Sequence, residues 1–178
     1  MKKPGILLSV ASGMIAAIGT KAVNAKPMTR QEYNDFRGWQ LPENENGADE
    51  GCLVEYQDCG EPNTAEYKGY VSWSPKAQFD NAYQDVTKGV SFGHAVELLK
   101  AGHRVARSGW NGKGMFLYYV PENKYPASRN EHGTMVGVFE NDMVPYGAYI
   151  AIKTAQNTVM PWQPSNGDML TEDWQIVE

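Results

Sequence analysis

The stretch best suited to chemistry is Gly109-Trp110-Asn111-Gly112-Lys113-Gly114. Bare glycine amides can approach a phosphate, and Trp110 offers a face on which a purine can stack. The run is not a P-loop, because Lys113 is followed by glycine where that motif needs a Ser or Thr for magnesium. It is not a dinucleotide fingerprint either, since the pattern predicts a strand after it and not a helix. The plainer alternative is a connection between strands whose glycines supply positive φ angles. A second cluster is Pro161-Trp162-Gln163-Pro164-Ser165-Asn166-Gly167-Asp168. Trp162 forms an aromatic platform at a strand end, while Ser165, Asn166 and Asp168 offer donors and acceptors to a ribose or a base edge. Those polar residues also suit a turn followed by a helix cap, and that reading holds in part whatever else is true.

Signs of catalysis are weak by comparison. His94, His103 and His132 form no metal-ligand spacing with a carboxylate cluster, and His94 falls off the apolar stripe of its helix, where solvent is expected. No serine sits in a G-x-S-x-G context, and the sequence places no base beside Cys52 or Cys59. Two cysteines cannot complete a tetrahedral zinc site; a disulfide between them is geometrically possible, and two reduced thiols are the simpler expectation. The formal net charge of -5 provides no basic field for a nucleic-acid polymer, yet leaves room for a small anionic ligand held by local donors. No cofactor and no metal are implied.

The elements that must position these residues fall into two small modules. Before them, Lys2-Lys3 and an apolar run from Gly5 to Gly19, with Val23-Asn24-Ala25 as a small-residue site, follow signal-peptide grammar. The rival reading of residues 1–25 starts at Met14, with a disordered tail and then a first strand from Ile15 to Ala25. The apolar run is too short and too diluted for a membrane helix. In residues 26–84, Thr29-Arg30-Gln31-Glu32 is a capping box with Met28 and Tyr33 as its staple, predicting a helix from Arg30 to about Gly38. Leu41 to Gly51 reads as a solvated loop. Strands are predicted at Leu53–Tyr56 and Tyr70–Trp73, then a helix capped by Ser74 with Pro75 in its first position, running to about Tyr83.

Asp85 to Gly89 reads as a linker. In residues 90–178, Ser91 caps a helix with Phe92, Ala95, Val96 and Leu99 on one face and Gly102 as its stop. Met115–Val120, apolar on both alternating faces, predicts a strand covered on both sides or buried between subunits. Tyr149–Ala155 and Thr158–Trp162 flank Gln156-Asn157 as a hairpin, Asp168–Glu172 as a helical turn, and Trp174–Val177 as a last strand. The fold class is therefore α+β: two small domains, each a short antiparallel sheet with one or two helices.

The ordered series Ser91-Phe92-Gly93-His94-Ala95, Leu99-Lys100-Ala101-Gly102, Val105 to Met115, Ile152-Lys153-Thr154-Ala155, Val159-Met160-Pro161-Trp162, Asp168-Met169-Leu170 and Glu172-Asp173-Trp174 resembles a phage domain family that includes the second type of Thoeris anti-defence protein. The resemblance spans Val90 to Glu178. It implies a sponge, active in the host bacterial cytoplasm as a homo-oligomer (tetramer or dimer), that sequesters cyclic nucleotide immune messengers without cleaving them. The messengers implied are of the glycocyclic ADP-ribose class, with cyclic dinucleotides as a further possibility. The expected ligand-binding residues are Phe92, Arg107, Trp110, Asn111, Met115, Trp162, Ser165 and Asp168, with no catalytic residue, no membrane and no nucleic-acid polymer involved. Two departures from the family pattern, Ala148-Tyr149-Ile150-Ala151-Ile152 and the turn Gln163 to Gly167, bear on which messenger is taken. The first module resembles a small phage domain of unassigned activity. Two other readings compete: an enzyme that degrades a nucleotide messenger, and a structural or interaction module of the phage particle.

Overall fold

The computed structural model describes residues 19–57, 60–127 and 136–177. The chain divides between Tyr83 and Gln84 into two compact units. Residues 1–18, with most of the signal-like segment, lie outside the described residues, as do Cys59 and His132.

In the first unit, strands β1 (Val23–Pro27), β2 (Gly51–Tyr56) and β3 (Tyr70–Pro75) form an antiparallel sheet in that order. Helix α1 (Arg30–Arg37) starts where the capping box predicts: the Glu32 amide donates to Thr29 Oγ1 and the Thr29 amide to Glu32 Oε2. Gly38 ends it in the left-handed region at φ 66°. Tyr33 of α1 packs with Leu53 and Val71 to make the core of this unit, with Met28 beside them as the staple requires. Helix α2 (Lys76–Ala82) corrects the expected cap. Pro75 occupies the cap position and no side chain caps the helix, because Pro75 and Ser74 are still paired to Gly51 and Cys52 in the sheet.

In the second unit, helix α3 (Phe92–Lys100) lies on an antiparallel five-stranded sheet. Its strands are β4 (Arg104–Arg107), β5 (Phe116–Val120), β8 (Tyr149–Lys153), β9 (Val159–Pro161) and β10 (Trp174–Val177), ordered β10-β4-β5-β8-β9. Between β5 and β8 the chain forms a separate ribbon of β6 (Asn123–Pro126) and β7 (Met143–Tyr146), which the sequence patterns did not reveal. The core joins Val90, Ala95, Leu99, Val105, Leu117 and Trp174, all at most 1% exposed. Phe92 and Leu98 pack beside it, whereas Val96, expected on this face, is half-buried outside the cluster.

Three boundaries shift for local reasons. Strand β5 begins at Phe116, and α3 covers the face bearing Leu117, while Phe116, Tyr118 and Val120 on the other face stay half-buried. The hairpin strands end at Lys153 and resume at Val159 because the backbones of Thr154 and Thr158 close the turn at 2.9 Å and their hydroxyls meet at 2.7 Å. Asn157 takes the left-handed position there at φ 61°, a role Asn fills more readily than most residues. The expected turn at Asp168–Glu172 is helix α4 (Asn166–Leu170), because Ser165 and Asp168 form a capping box that starts it early.

Candidate functional site

Strand β10 begins with Trp174, whose indole is fully buried and takes three rings around it. Trp110 meets it edge-on with centroids 5.5 Å apart, Trp162 edge-on at 5.9 Å, and Phe92 tilted at 5.7 Å. Edge-to-face contacts of this kind suit the ring quadrupoles. The three outer rings are each half-buried, so each is at once core and surface. Phe92 and Trp162 also contact one another at 6.1 Å. Of the residues expected at the site, the structure thus gathers Phe92, Trp110 and Trp162, and gathers them about a residue not among those expected.

Beside the aromatic group lies an ionic one. Arg107, on the last position of β4, pairs across to Trp174 in β10. Its Nη1 donates to Asp168 Oδ1 at 2.9 Å and its Nε to Asp173 Oδ1 at 2.9 Å. Both carboxylates are therefore spent on one guanidinium, whose own pKa they push further up. Burial pushes the Asp168 carboxyl up, but bonds from the Ser165 hydroxyl and amide and from Arg107 outweigh it and hold the group below the usual carboxylate range. The Asp173 carboxyl is also held low, first by Arg107, with help from Thr171 and the Gly109 amide. Trp174 closes the group by donating its Nε1–H to the Asp168 carbonyl at 3.0 Å.

This geometry assigns the polar residues their local work. Ser165 and Asp168 cap α4, the plainer of the two roles open to them. Arg107 ties the start of the glycine loop to β10, since Asp173 also accepts from Gly109 N–H at 3.3 Å. A Cβ on Gly109 would stand 3.1 Å from that carboxylate, tighter than ordinary contact. At the other end, Lys153 Nζ donates to the Gly114 carbonyl at 3.0 Å. The loop is thus fastened at both ends while Asn111, between them, is exposed. Met115 folds back over Gly112, where an added Cβ would lie 2.0 Å from its sulfur. His94 is half-buried and bonded through Nδ1 to Ser91 Oγ at 2.9 Å, not solvated as expected.

Sequence reasoning passed over Asp173, Trp174 and Lys153 as site residues. Asp173-Trp174 had a signal in the closing motif, but only the pairing of β10 with β4 brings them to Arg107. A cleft of about 500 Å³ lies in the first unit, lined by Arg30, Glu45, Trp73 and Lys76 among others. It holds none of the expected residues, and Arg30 there is already paired to Glu45. A cleft of about 180 Å³ beside the β6–β7 ribbon is smaller than the ~300 Å³ at which ligand pockets usually begin. Among the described residues no group of His, Cys, Asp and Glu is arranged to hold a metal ion. No helix among them is long and apolar enough to cross a membrane.

Residues 90–177 match the family described as the Thoeris anti-defense 2-like domain. The chain is also similar to Thoeris anti-defense 2 of Bacillus phage SP01: 47% identical over 88 residues, which cover 94% of that protein and 49% of this chain. The matched region coincides with the second unit and contains both the aromatic and the ionic groups.

Proposed function

Because the chain belongs to the Thoeris anti-defense 2-like family, we propose that its second unit sequesters a cyclic nucleotide immune messenger of the glycocyclic ADP-ribose class and returns it uncleaved, inside an infected bacterium. The observation that carries this is the set of half-buried rings of Phe92, Trp110 and Trp162 braced on Trp174 beside a loop of glycine amides fastened at both ends. Such a set supplies faces for a base and donors for a diphosphate at little ordering cost. The ionic groups favour holding over cutting: Asp168 is kept charged by bonds from Ser165 and then from Arg107, and Asp173 first by Arg107, which leaves neither of them a ready general acid at neutral pH.

The same reading extends to assembly. The rings of Phe92, Trp110 and Trp162 are half-buried at the surface of this unit, where a second subunit would supply further walls around a ligand. Val159 and Met160 on the edge strand β9 are each 55% exposed, and Leu170 is 84% exposed, which favours burial against a neighbouring subunit. The test exposes the protein to lysate containing active Thoeris signalling, repurifies it, denatures it with heat and analyses the released small molecules by mass spectrometry. An intact messenger supports the sponge. Cleavage products would favour the degrading enzyme, and no nucleotide at all would favour an interaction module.

A further inference from the structure

An Asn-Gly pair carries a chemistry of its own, because a glycine amide has no side chain to shield it from the side-chain carbonyl of the asparagine before it. The sequence holds three such pairs: Asn46-Gly47, Asn111-Gly112 and Asn166-Gly167. The fold treats them unequally. Asn46 is held at both atoms of its amide, its Nδ2 donating to Asp49 Oδ1 at 3.0 Å and its Oδ1 accepting from the Ala48 N–H at 3.1 Å. Gly47 is fixed besides, its carbonyl accepting from the Gln31 N–H at 2.9 Å. Asn166 and Gly167 open helix α4, where the capping box between Ser165 and Asp168 holds them in helical conformation. Closing a ring between the Asn166 side chain and the Gly167 nitrogen requires ψ to turn far out of the helical range, which would undo that first turn.

Asn111 has neither restraint. It is exposed, lies outside helix and strand, and among the described residues no hydrogen bond engages its side chain or the Gly112 N–H. Gly112 lies under the Met115 side chain, whose sulfur would stand 2.0 Å from an added Cβ, so the position selects the residue that leaves its amide barest. We infer that Asn111-Gly112 is a site of spontaneous deamidation, with water as the co-reactant, that places a carboxylate in the glycine loop. The Gly112 nitrogen loses its proton and bonds to the Asn111 side-chain carbonyl carbon; the bond from that carbon to the side-chain nitrogen breaks, and ammonia leaves carrying the proton. Water then opens the cyclic imide at either carbonyl, giving aspartate or, with the backbone rerouted through Cβ, isoaspartate. One water enters and one ammonia departs, with nothing oxidised or reduced. Each event makes the chain one unit more negative than its formal -5. The consequence for a ligand rests on the proposed sequestration: an anionic messenger meets a carboxylate among amides that otherwise attract it, so the loop loses holding power with age.

The test incubates the purified full chain in warm neutral buffer, folded and in denaturant, and maps the products by peptide mass spectrometry with isoaspartyl methyltransferase labelling. In the folded chain Asn111 should convert first, about tenfold or more ahead of Asn46, whose two hydrogen bonds must break beforehand. In denaturant the three pairs should convert at similar rates, because the fold is what distinguishes them. Asn111→Gln, whose longer side chain closes a larger ring poorly, and Gly112→Ala, whose methyl shields the amide, should each keep the amide over the same period. Folded Asn46 or Asn166 converting as fast as Asn111, or folded Asn111 staying intact, would overturn the site. The aged, more acidic form is then separated by ion exchange and titrated with glycocyclic ADP-ribose beside fresh protein. An affinity lower by about fivefold, the scale of one unit charge repelling another a few ångströms away in water, supports the loss of holding power. Equal affinities would refute that consequence. If fresh protein ignores the messenger, sequestration itself fails, and the peptide maps still decide the deamidation.

Discussion

Arg107→Met removes a guanidinium and keeps a side chain of similar reach, so the loss falls on Asp168 and Asp173 more than on packing. Breaking a fully buried ion pair costs about 3–5 kcal/mol, and breaking an exposed one about 0–1 kcal/mol. The three side chains are 22%, 13% and 28% exposed, between those limits and nearer the buried one. The variant should therefore destabilise the second unit by about 2 kcal/mol at pH 7. Both carboxyls are held below their usual range in the folded protein. Their contribution is fully present above the unfolded value of about 3.9 and is lost as pH falls through the lower folded values. The gap between wild type and variant should accordingly close as pH drops below about 4, where the carboxylates become protonated. Denaturant-dependent hydrogen exchange, read on peptides from β4 and β10, measures the gap for this unit alone. A gap that stays constant from neutral to acid pH would mean that the arginine stem, and not its charge, was stabilising.

Other outcomes follow from the same contacts. Trp110→Ala should weaken messenger binding by about 1–3 kcal/mol, the scale of a lost base stack, and calorimetric titration alongside circular dichroism separates that from unfolding. Gly112→Ala should displace the flexible Met115 side chain, which lies 2.0 Å from the added Cβ, altering affinity with little change in a denaturant midpoint. Gly51→Ala should destabilise the first unit alone by about 1–3 kcal/mol, because its Cβ meets the Ser74 carbonyl and the Trp73 ring at 2.5 Å; hydrogen exchange on β2 reports it. A fragment of residues 84–178 should fold and bind by itself, as light scattering and titration of the fragment would show, since the residues assigned to the ligand all lie within that unit.

What the sequence disclosed was mostly local. The helix at Arg30 was legible because Thr29 and Glu32 satisfy each other's neighbouring amides within one turn. The strands at Leu53, Tyr70, Phe116 and Trp174 were legible from runs of apolar and aromatic residues bounded by turn residues. The ribbon of β6 and β7 was not, because Lys124, Pro126, Pro145 and exposed tyrosines break any alternating pattern. The aromatic members of the site could be picked from their types, but their hub could not. Trp174 lies sixty-four residues from Trp110, and only the pairing of β10 with β4 and with Val90 buries it among them. The same pairing turns Arg107 from a free donor into a neutralised brace, a change that spacing along the chain cannot show.

The most direct test of sequestration is a calorimetric titration of the purified full chain with glycocyclic ADP-ribose, followed by denaturation and chromatography of what the protein releases. The account predicts saturable binding with an affinity that falls as salt rises, and recovery of the messenger unchanged. The absence of any binding heat together with full recovery of free messenger, or the recovery of a hydrolysed product, would contradict it.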